Sequence, residues 1–369
     1  MKVGIITIYD LMNFGNRLQS YAMIFLLKKY KIQSDSIVLK YSAVLDEIKD
    51  FIKKIIHKPI YENWSLKQES AEYVEKLTEQ EKKRYIKFKD FSYEYLNIKH
   101  KKILKPFKPR WIEDYDCFTV GSDQVWNPRI DQAKEWEFLN FAPQGKRVSW
   151  AASFGTKSID DPSGIIANGL RGLDHISVRE EYGESIVYQL AGRESITLID
   201  PTLMLDASEW TNISKMPDNF NFNDKYILMF FLGESTLNFK KIAKSLSQEY
   251  GYQIIDLQDE MCFAYESGPS EFIYLISHAQ LILTDSFHAC VFSFIFNKPF
   301  VVYDRNGTQC SMNSRIETLL KKFDLERKYA NSNLENDIWE HNYEKGYEQL
   351  ELERTKVLDF LRKALNVDM

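Results

Sequence analysis

Short apolar, mostly β-branched runs alternate with stretches of helical spacing along most of this chain, and each run is closed by a polar cluster. The runs cover residues 3–8, 37–39, 118–120, 148–153, 176–178 and 196–199, then, past an Asp200-Pro201 junction, 226–232, 252–257, 281–283 and 300–303. Strands separated by helices cannot form hairpins. They pair through crossovers, which give parallel sheets with helices on both faces. Two such series predict two doubly wound, Rossmann-like α/β domains, an N-terminal one over 1–204 and a C-terminal one over 205–345, with the break near 200–210. A last helix within 346–369, with Leu350, Val357, Leu358, Leu361 and Leu365 on one face, is expected to pack across one or both. Open α/β sheets bind ligands outside the carboxyl ends of their strands. The expected site is therefore a cleft between facing strand ends.

The alternation lapses over 45–108, where lysine-rich, helix-forming sequence predicts a helical insertion in the first domain. Tyr85, Phe88, Phe91 and Tyr95 recur there at spacings of 3, 3 and 4, the stripe of a buried helix face. Between 46 and 108 stand 16 Lys or Arg against 11 Asp or Glu, an excess of 5 positive charges inside a chain whose net charge is −5. Two readings stay open: a solvated insertion packed by its aromatics, or a basic surface for an anionic acceptor or the membrane that carries one.

Composition removes several function classes. A net charge of −5 lacks the basic footprint that phosphate backbones demand, so nucleic acid is not an expected partner. Cys117, Cys262, Cys290 and Cys310 lie 145, 28 and 20 residues apart with no Cys-x-x-Cys pair, which predicts reduced thiols and no metal site. Asp10 interrupts the N-terminal apolar run, so a first strand is expected there in place of a signal peptide. No apolar run approaches the roughly 18 residues of a membrane span. The expected location is the cytoplasm, with or without peripheral contact at the inner membrane face; oligomeric state is not legible.

Four polar clusters follow strands. Asn13-Phe14-Gly15-Asn16-Arg17 sits between strand one and helix one, where free N–H groups favour anions or sugars, although Asn16 as a helix cap and Gly15 as a tight turn would read the same. Gly121-Ser122-Asp123-Gln124-Val125-Trp126-Asn127 offers a carboxylate to orient or deprotonate a hydroxyl and a ring to stack on a sugar, or else a turn cap and a core tryptophan. Arg179, in Ser177-Val178-Arg179-Glu180-Glu181, has the fork that grips carboxylate or phosphate, or pairs with Glu180 or Glu181. Thr284-Asp285-Ser286-Phe287-His288-Ala289 opens a nearly all-apolar helix whose early His is either a proton donor in the cleft or a core residue.

These clusters, with Gly4 to Thr7 and Leu18-Gln19, Ser149 to Gly155, Asp200-Pro201-Thr202 and Lys298-Pro299-Phe300, resemble the polysaccharide pyruvyl transferase family along nearly the whole chain. The resemblance implies a fold like the GT-B glycosyltransferases and transfer of a pyruvyl group from phosphoenolpyruvate, as donor substrate and with no cofactor or metal, to two hydroxyls of a nucleotide-linked or lipid-linked sugar, closing a cyclic ketal. It also implies roles. The family's late motif commonly reads Asp-Arg-Leu-His-Gly; Asp285, His288 and Ala289 fit, Phe287 replaces Leu, and Ser286 stands where the donor-binding Arg would be. His288 is then the general acid, Asp123 the base or acceptor anchor, and Arg179, by itself or with Arg315, the donor clamp beside Ser286 and Phe287. Asn13, Gly15, Asn16, Ser122, Trp126 and Asp285 line the acceptor side or the cleft. A nucleotide-sugar glycosyltransferase of GT-B type, or a glycan-assembly protein that kept the scaffold without catalysis, are the competing readings.

Overall fold

The computed structural model describes residues 1–43, 70–105, 108–130, 132–221, 225–233, 237–305, 314–330 and 338–368. The chain divides into two compact units, one of residues 1–78, 92–201 and 358–369, the other of 79–91 and 202–357.

In the first unit the strands are β1 (Lys2–Ile6), β2 (Gln33–Ala43), β3 (Ile98–Lys105), β4 (Cys117–Val120), β5 (Arg147–Ser149), β6 (Ser177–Val178) and β7 (Ile196–Thr197). All pairs are parallel, in the order β3-β2-β1-β4-β5 and separately β6-β7. Parallel bridges from Val148 to His175 and from Ala152 to Val178 carry the pairing from β5 to β6. The order reverses between β1 and β4, which makes the loops after those strands the topological switch point, the place where doubly wound sheets open for a ligand.

The section expected to be wholly helical is mixed. Its residues 45–69 lie outside the described ones, and helices do follow at Ala71–Glu75 and Glu79–Tyr95. Tyr85, Phe88 and Phe91 are buried as the stripe requires. Ile98–Lys105, however, is a strand, paired with β2 from Ser36–Ile98 to Ala43–Lys105. Local preference for helix in Ile-Lys-His-Lys-Lys-Ile-Leu-Lys yields to eight residues of pairing, because strand propensity is set by context. Lysines are also what an edge strand uses to stay unpaired with other chains, and β3 is the edge.

The second unit has β8 (Tyr226–Phe230), β9 (Gln253–Asp256), β10 (Leu281–Thr284) and β11 (Phe300–Val302), parallel in the order β11-β10-β8-β9, with its switch point between β8 and β10. Every residue of β8 and β10 is buried, as expected of strands covered on both faces. The helix Phe287–Ile295, entirely buried, packs Phe292 edge-on against Trp210 at 4.9 Å and Phe272 at 6.1 Å. Among the described residues no helix is long and apolar enough to cross a membrane.

The last helix, Glu344–Leu365, begins earlier than its apolar face suggested. On it Glu353 is buried between Lys356 at 2.5 Å and Lys322 of the helix Ser314–Lys322 at 3.1 Å. Burial opposes the charged carboxylate, but the two ammonium groups outweigh it and hold its pKa below the usual glutamate value. A depressed folded-state pKa means stability that is present above the unfolded value, near 4.3, and lost as pH falls through the lower folded value. Glu353→Gln should cost about 1 to 3 kcal/mol at neutral pH. The difference from wild type should shrink as urea unfolding is repeated at pH below about 4.

Candidate active site

At the first unit's switch point, the sequence Asp10-Leu11-Met12-Asn13 turns the chain from β1 into the helix Phe14–Lys29. Asn13 is its N-cap, accepting from Asn16 N–H at 3.0 Å, so the cap is Asn13 and Asn16 is already inside the helix. Asn16 in turn accepts from Asp10 N–H at 3.2 Å and from Arg17, whose buried guanidinium lies 4.3 Å over the Tyr9 ring. Gln19 staples the two strand ends: it donates to Thr7 Oγ1 at 3.0 Å and accepts from Ser122 N–H at 3.1 Å, while Thr7 donates to the Ser122 carbonyl at 3.1 Å. Gly15 is buried at the start of this helix.

The turn after β4 needs its glycine. Gly121 has φ +129°, and a Cβ there would meet the Trp150 carbonyl oxygen at 2.2 Å. Asp123 follows in the left-handed region at φ +67°, which Asp tolerates better than most residues. Its carbonyl accepts from Ser153 N–H at 2.9 Å, and its carboxylate, on a side chain 11% exposed, lies 3.5 Å from Arg179 Nη2. Trp126 is core: fully buried, stacked on Phe138 at 5.2 Å and donating its indole N–H to the Glu137 carbonyl at 2.9 Å. No face of that ring is open to a sugar.

Arg179, on the loop after β6, pairs with Asp200 at 2.7 Å, and both side chains are almost wholly buried. Ser122 Oγ lies 2.9 Å from the same Asp200 oxygen. Burial works against the guanidinium's charge, but Asp200, Asp123 and Glu180 overcome it and raise the arginine pKa further. The expected alternative partner was Glu180 or Glu181. Instead Glu180 turns one oxygen to Ser153 Oγ at 3.1 Å, Phe154 N–H at 2.7 Å and Gly155 N–H at 3.1 Å, fixing the loop after β5. Ser122, Asp123, Arg179 and Asp200 thus form one buried ionic cluster.

In the second unit, Asp285 follows β10 and accepts from the N–H groups of Leu232 at 2.7 Å and Gly233 at 2.8 Å, tying the loop after β8 across the switch point. Arg305 Nε lies 3.5 Å from its carboxylate, and Arg305 also donates to the Asp285 carbonyl at 3.3 Å. Ser286 is the N-cap residue of Phe287–Ile295, with its backbone N–H held by Thr284 Oγ1 at 3.0 Å. His288, in the first turn, is 7% exposed with its ring edge-on to Phe287 at 5.1 Å, and Arg315, 6% exposed, lies 5.7 Å over the Phe287 ring. Asp285, Phe287, His288, Arg305 and Arg315 therefore gather at one helix start.

Gln19, Asp200, Glu180 and Arg305 were not among the candidate site residues. Their partners are distant in sequence; Gln19, Glu180 and Asp200 stand within the motifs that carry the resemblance, while Arg305 had only its position three residues past β11 as a signal. Removing the charge of Asp200 would leave a guanidinium buried without its closest counter-ion. Asp200→Asn should therefore cost about 3 to 5 kcal/mol by urea unfolding, against about 1 kcal/mol for Ser122→Ala. Equal losses in the two variants would deny the ion pair its structural weight.

Comparison with known proteins follows the same lines. Among solved structures, the chain is similar to a UDP-GlcNAc 2-epimerase from Neisseria meningitidis bound to UDP-GlcNAc, with 14% identity over 98% of this chain and 100% of that one and a TM-score of 0.50. An S. aureus MnaA–UDP structure follows at 14% identity over 100% and 97% with a TM-score of 0.45, and a UDP-GlcNAc 2-epimerase from Methanocaldococcus jannaschii at 15% over 96% and 99% with 0.42. At 14% identity the likeness to the Neisseria structure speaks for the fold alone, and it agrees with the α/β, GT-B-like class. No curated protein matches in sequence. The polysaccharide pyruvyl transferase family model matches residues 13–307, a span that contains Ser122, Asp123, Arg179, Asp200, Asp285, His288 and Arg305. The chain belongs to the polysaccharide pyruvyl transferase family and is a transferase.

Proposed function

We propose that this enzyme moves a pyruvyl group from phosphoenolpyruvate to two hydroxyls of a sugar, forming a cyclic ketal during surface-polysaccharide assembly. One observation carries the reading: His288, Arg315 and Arg305 converge on the N-terminus of Phe287–Ile295. Guanidinium groups beside a helix N-terminus suit a donor that carries both a carboxylate and a phosphate. In this reading Arg315, packed on Phe287, supplies the charge that Ser286 lacks.

Two proton-handling residues are assigned to the chemistry, Asp123 and His288. An acceptor hydroxyl attacks C2 of the enol, its proton passing to Asp123, while His288 gives a proton to the methylene carbon, which becomes the methyl group. A second hydroxyl then displaces phosphate from C2 and closes the ketal, its proton returning to His288 while the proton on Asp123 leaves with the phosphate, whose oxyanion is met by Arg315 and helix N–H dipoles. Asn13, Gly15 and Asn16 belong to the acceptor side. Arg179 is assigned to hold Asp123 in place, since Asp200 already engages its fork. The acceptor is nucleotide-linked or lipid-linked, the reaction cytoplasmic, and the lysine-rich edge β3 would face an anionic membrane in the lipid-linked case.

Incubation with phosphoenolpyruvate and a panel of such acceptors should release phosphate and add pyruvyl mass to the sugar together. A thermal-shift panel separates this from the glycosyltransferase and non-catalytic readings, because a donor at 100 times its Kd stabilises by about 2.7 kcal/mol. Stabilisation by nucleotide sugars but not by phosphoenolpyruvate would favour the former. His288→Gln should lower turnover by about 100-fold to 10,000-fold with the melting temperature unchanged. Arg315→Lys should act mainly on KM for the donor, a point charge being a poor substitute for a fork. For Arg179→Lys the loss should fall on stability and kcat; a rise in donor KM alone would make Arg179 the clamp.

A further inference from the structure

The helix Phe287–Ile295 carries the chain about 10 Å from His288 to its far end. Near its far end lies an open groove of about 500 Å³, lined by Asn297, Trp339, Glu340, His341, Asn342 and Tyr347 beside Tyr343. Sites for small molecules commonly span about 300 to 1,000 Å³. A smaller chamber of about 170 Å³ shares Glu340, Asn342, Tyr343 and Glu344 with it.

Its walls are set in advance. Tyr343 donates its hydroxyl to the Lys298 carbonyl at 2.9 Å and Tyr347 to the Phe294 carbonyl at 2.8 Å, which fixes both rings to the buried helix's end. Trp339 is braced edge-on by Tyr250 at 4.9 Å. Arg327 donates to the Asn342 carbonyl at 2.7 Å and pairs with Glu340 at 3.2 Å, which holds the opposite rim. Such preorganisation removes ordering costs from binding.

The chemistry of the lining selects a ligand class. Aromatic side chains beside amides and carboxylates suit a pyranose, whose C–H face lies on a ring while its hydroxyls bond to polar groups. Anions are disfavoured: Arg327 is paired with Glu340, Lys345 with Asp324 at 3.6 Å, and Glu344 adds a negative charge. An ammonium ligand would seek the same rings and carboxylates. Lys328, however, already places its Nζ 5.8 Å over the Tyr343 ring and donates to the Glu340 carbonyl. We propose that this groove is a second saccharide site, separate from the strand-end residues, which holds a neutral pyranose unit of a glycan. The proposal is independent of the donor reading, because it is tested without phosphoenolpyruvate.

Saturation-transfer NMR on the full chain would use methyl β-glucoside, methyl β-galactoside and N-acetylglucosamine as probes, with tetramethylammonium and inorganic phosphate as competitors. At least one sugar should bind with millimolar affinity, weakened about tenfold or more in Trp339→Ala and unchanged in His288→Gln, with neither ion competing. If Trp339→Ala does not fold, Asn342→Ala on the exposed rim takes its place and should weaken binding by about fivefold. Absence of sugar binding to wild type, unchanged binding in the rim variants, loss in His288→Gln, or displacement by tetramethylammonium or phosphate would each overturn the proposal.

Discussion

Parallel strand pairing governs everything else in each unit of this protein. A strand that must pair in the same direction as its predecessor needs a crossover, so all carboxyl ends come to one edge and all loops that follow them share it. In the first unit that edge gathers the ends of β1, β4, β5 and β6, hence Thr7, Ser122, Ser153 and Arg179. In the second it gathers Leu232, Gly233 and Asp285. Chemistry-bearing residues far apart in sequence meet because the ladder leaves them nowhere else to go.

Charge buried at such an edge has to be balanced there. Arg179 shows the consequence: its guanidinium is out of water, and three carboxylates nearby keep it charged against the penalty of burial. Asp285 answers the same problem differently, by accepting two backbone N–H groups and facing Arg305. Both arrangements fix loops that would otherwise be free to move, and both place a functional candidate beside a structural one, Asp123 beside Arg179 and His288 three residues past Asp285.

Much of the fold was legible. Each predicted apolar run after the first helix corresponds to a strand to within a few residues, because β-branched runs bounded by polar clusters leave little choice of structure. The tyrosine and phenylalanine stripe in Glu79–Tyr95 was equally plain, its spacing being that of one helix face. β3 was misread because lysine-rich sequence has no periodicity of its own, and its state was fixed by a neighbour, β2. Trp126 was open to two readings in sequence, since a ring that stacks on a sugar and one that stacks on Phe138 are the same residue type after the same strand.

Sequence by itself determined the strand-helix rhythm, the placement of polar clusters at strand ends and the family, since all three are written in local order and residue identity. Tertiary structure decided who partners whom: Asp200 and not Glu180 for Arg179, Asn13 and not Asn16 as the cap, Arg315 over Phe287 beside a serine, and an aromatic groove beyond the far end of the His288 helix. Those outcomes depend on distances between residues tens of positions apart or on which backbone N–H a side chain reaches. The energy of an ion pair or a hydrogen bond falls off within a few ångströms, a scale that spacing along a chain does not specify.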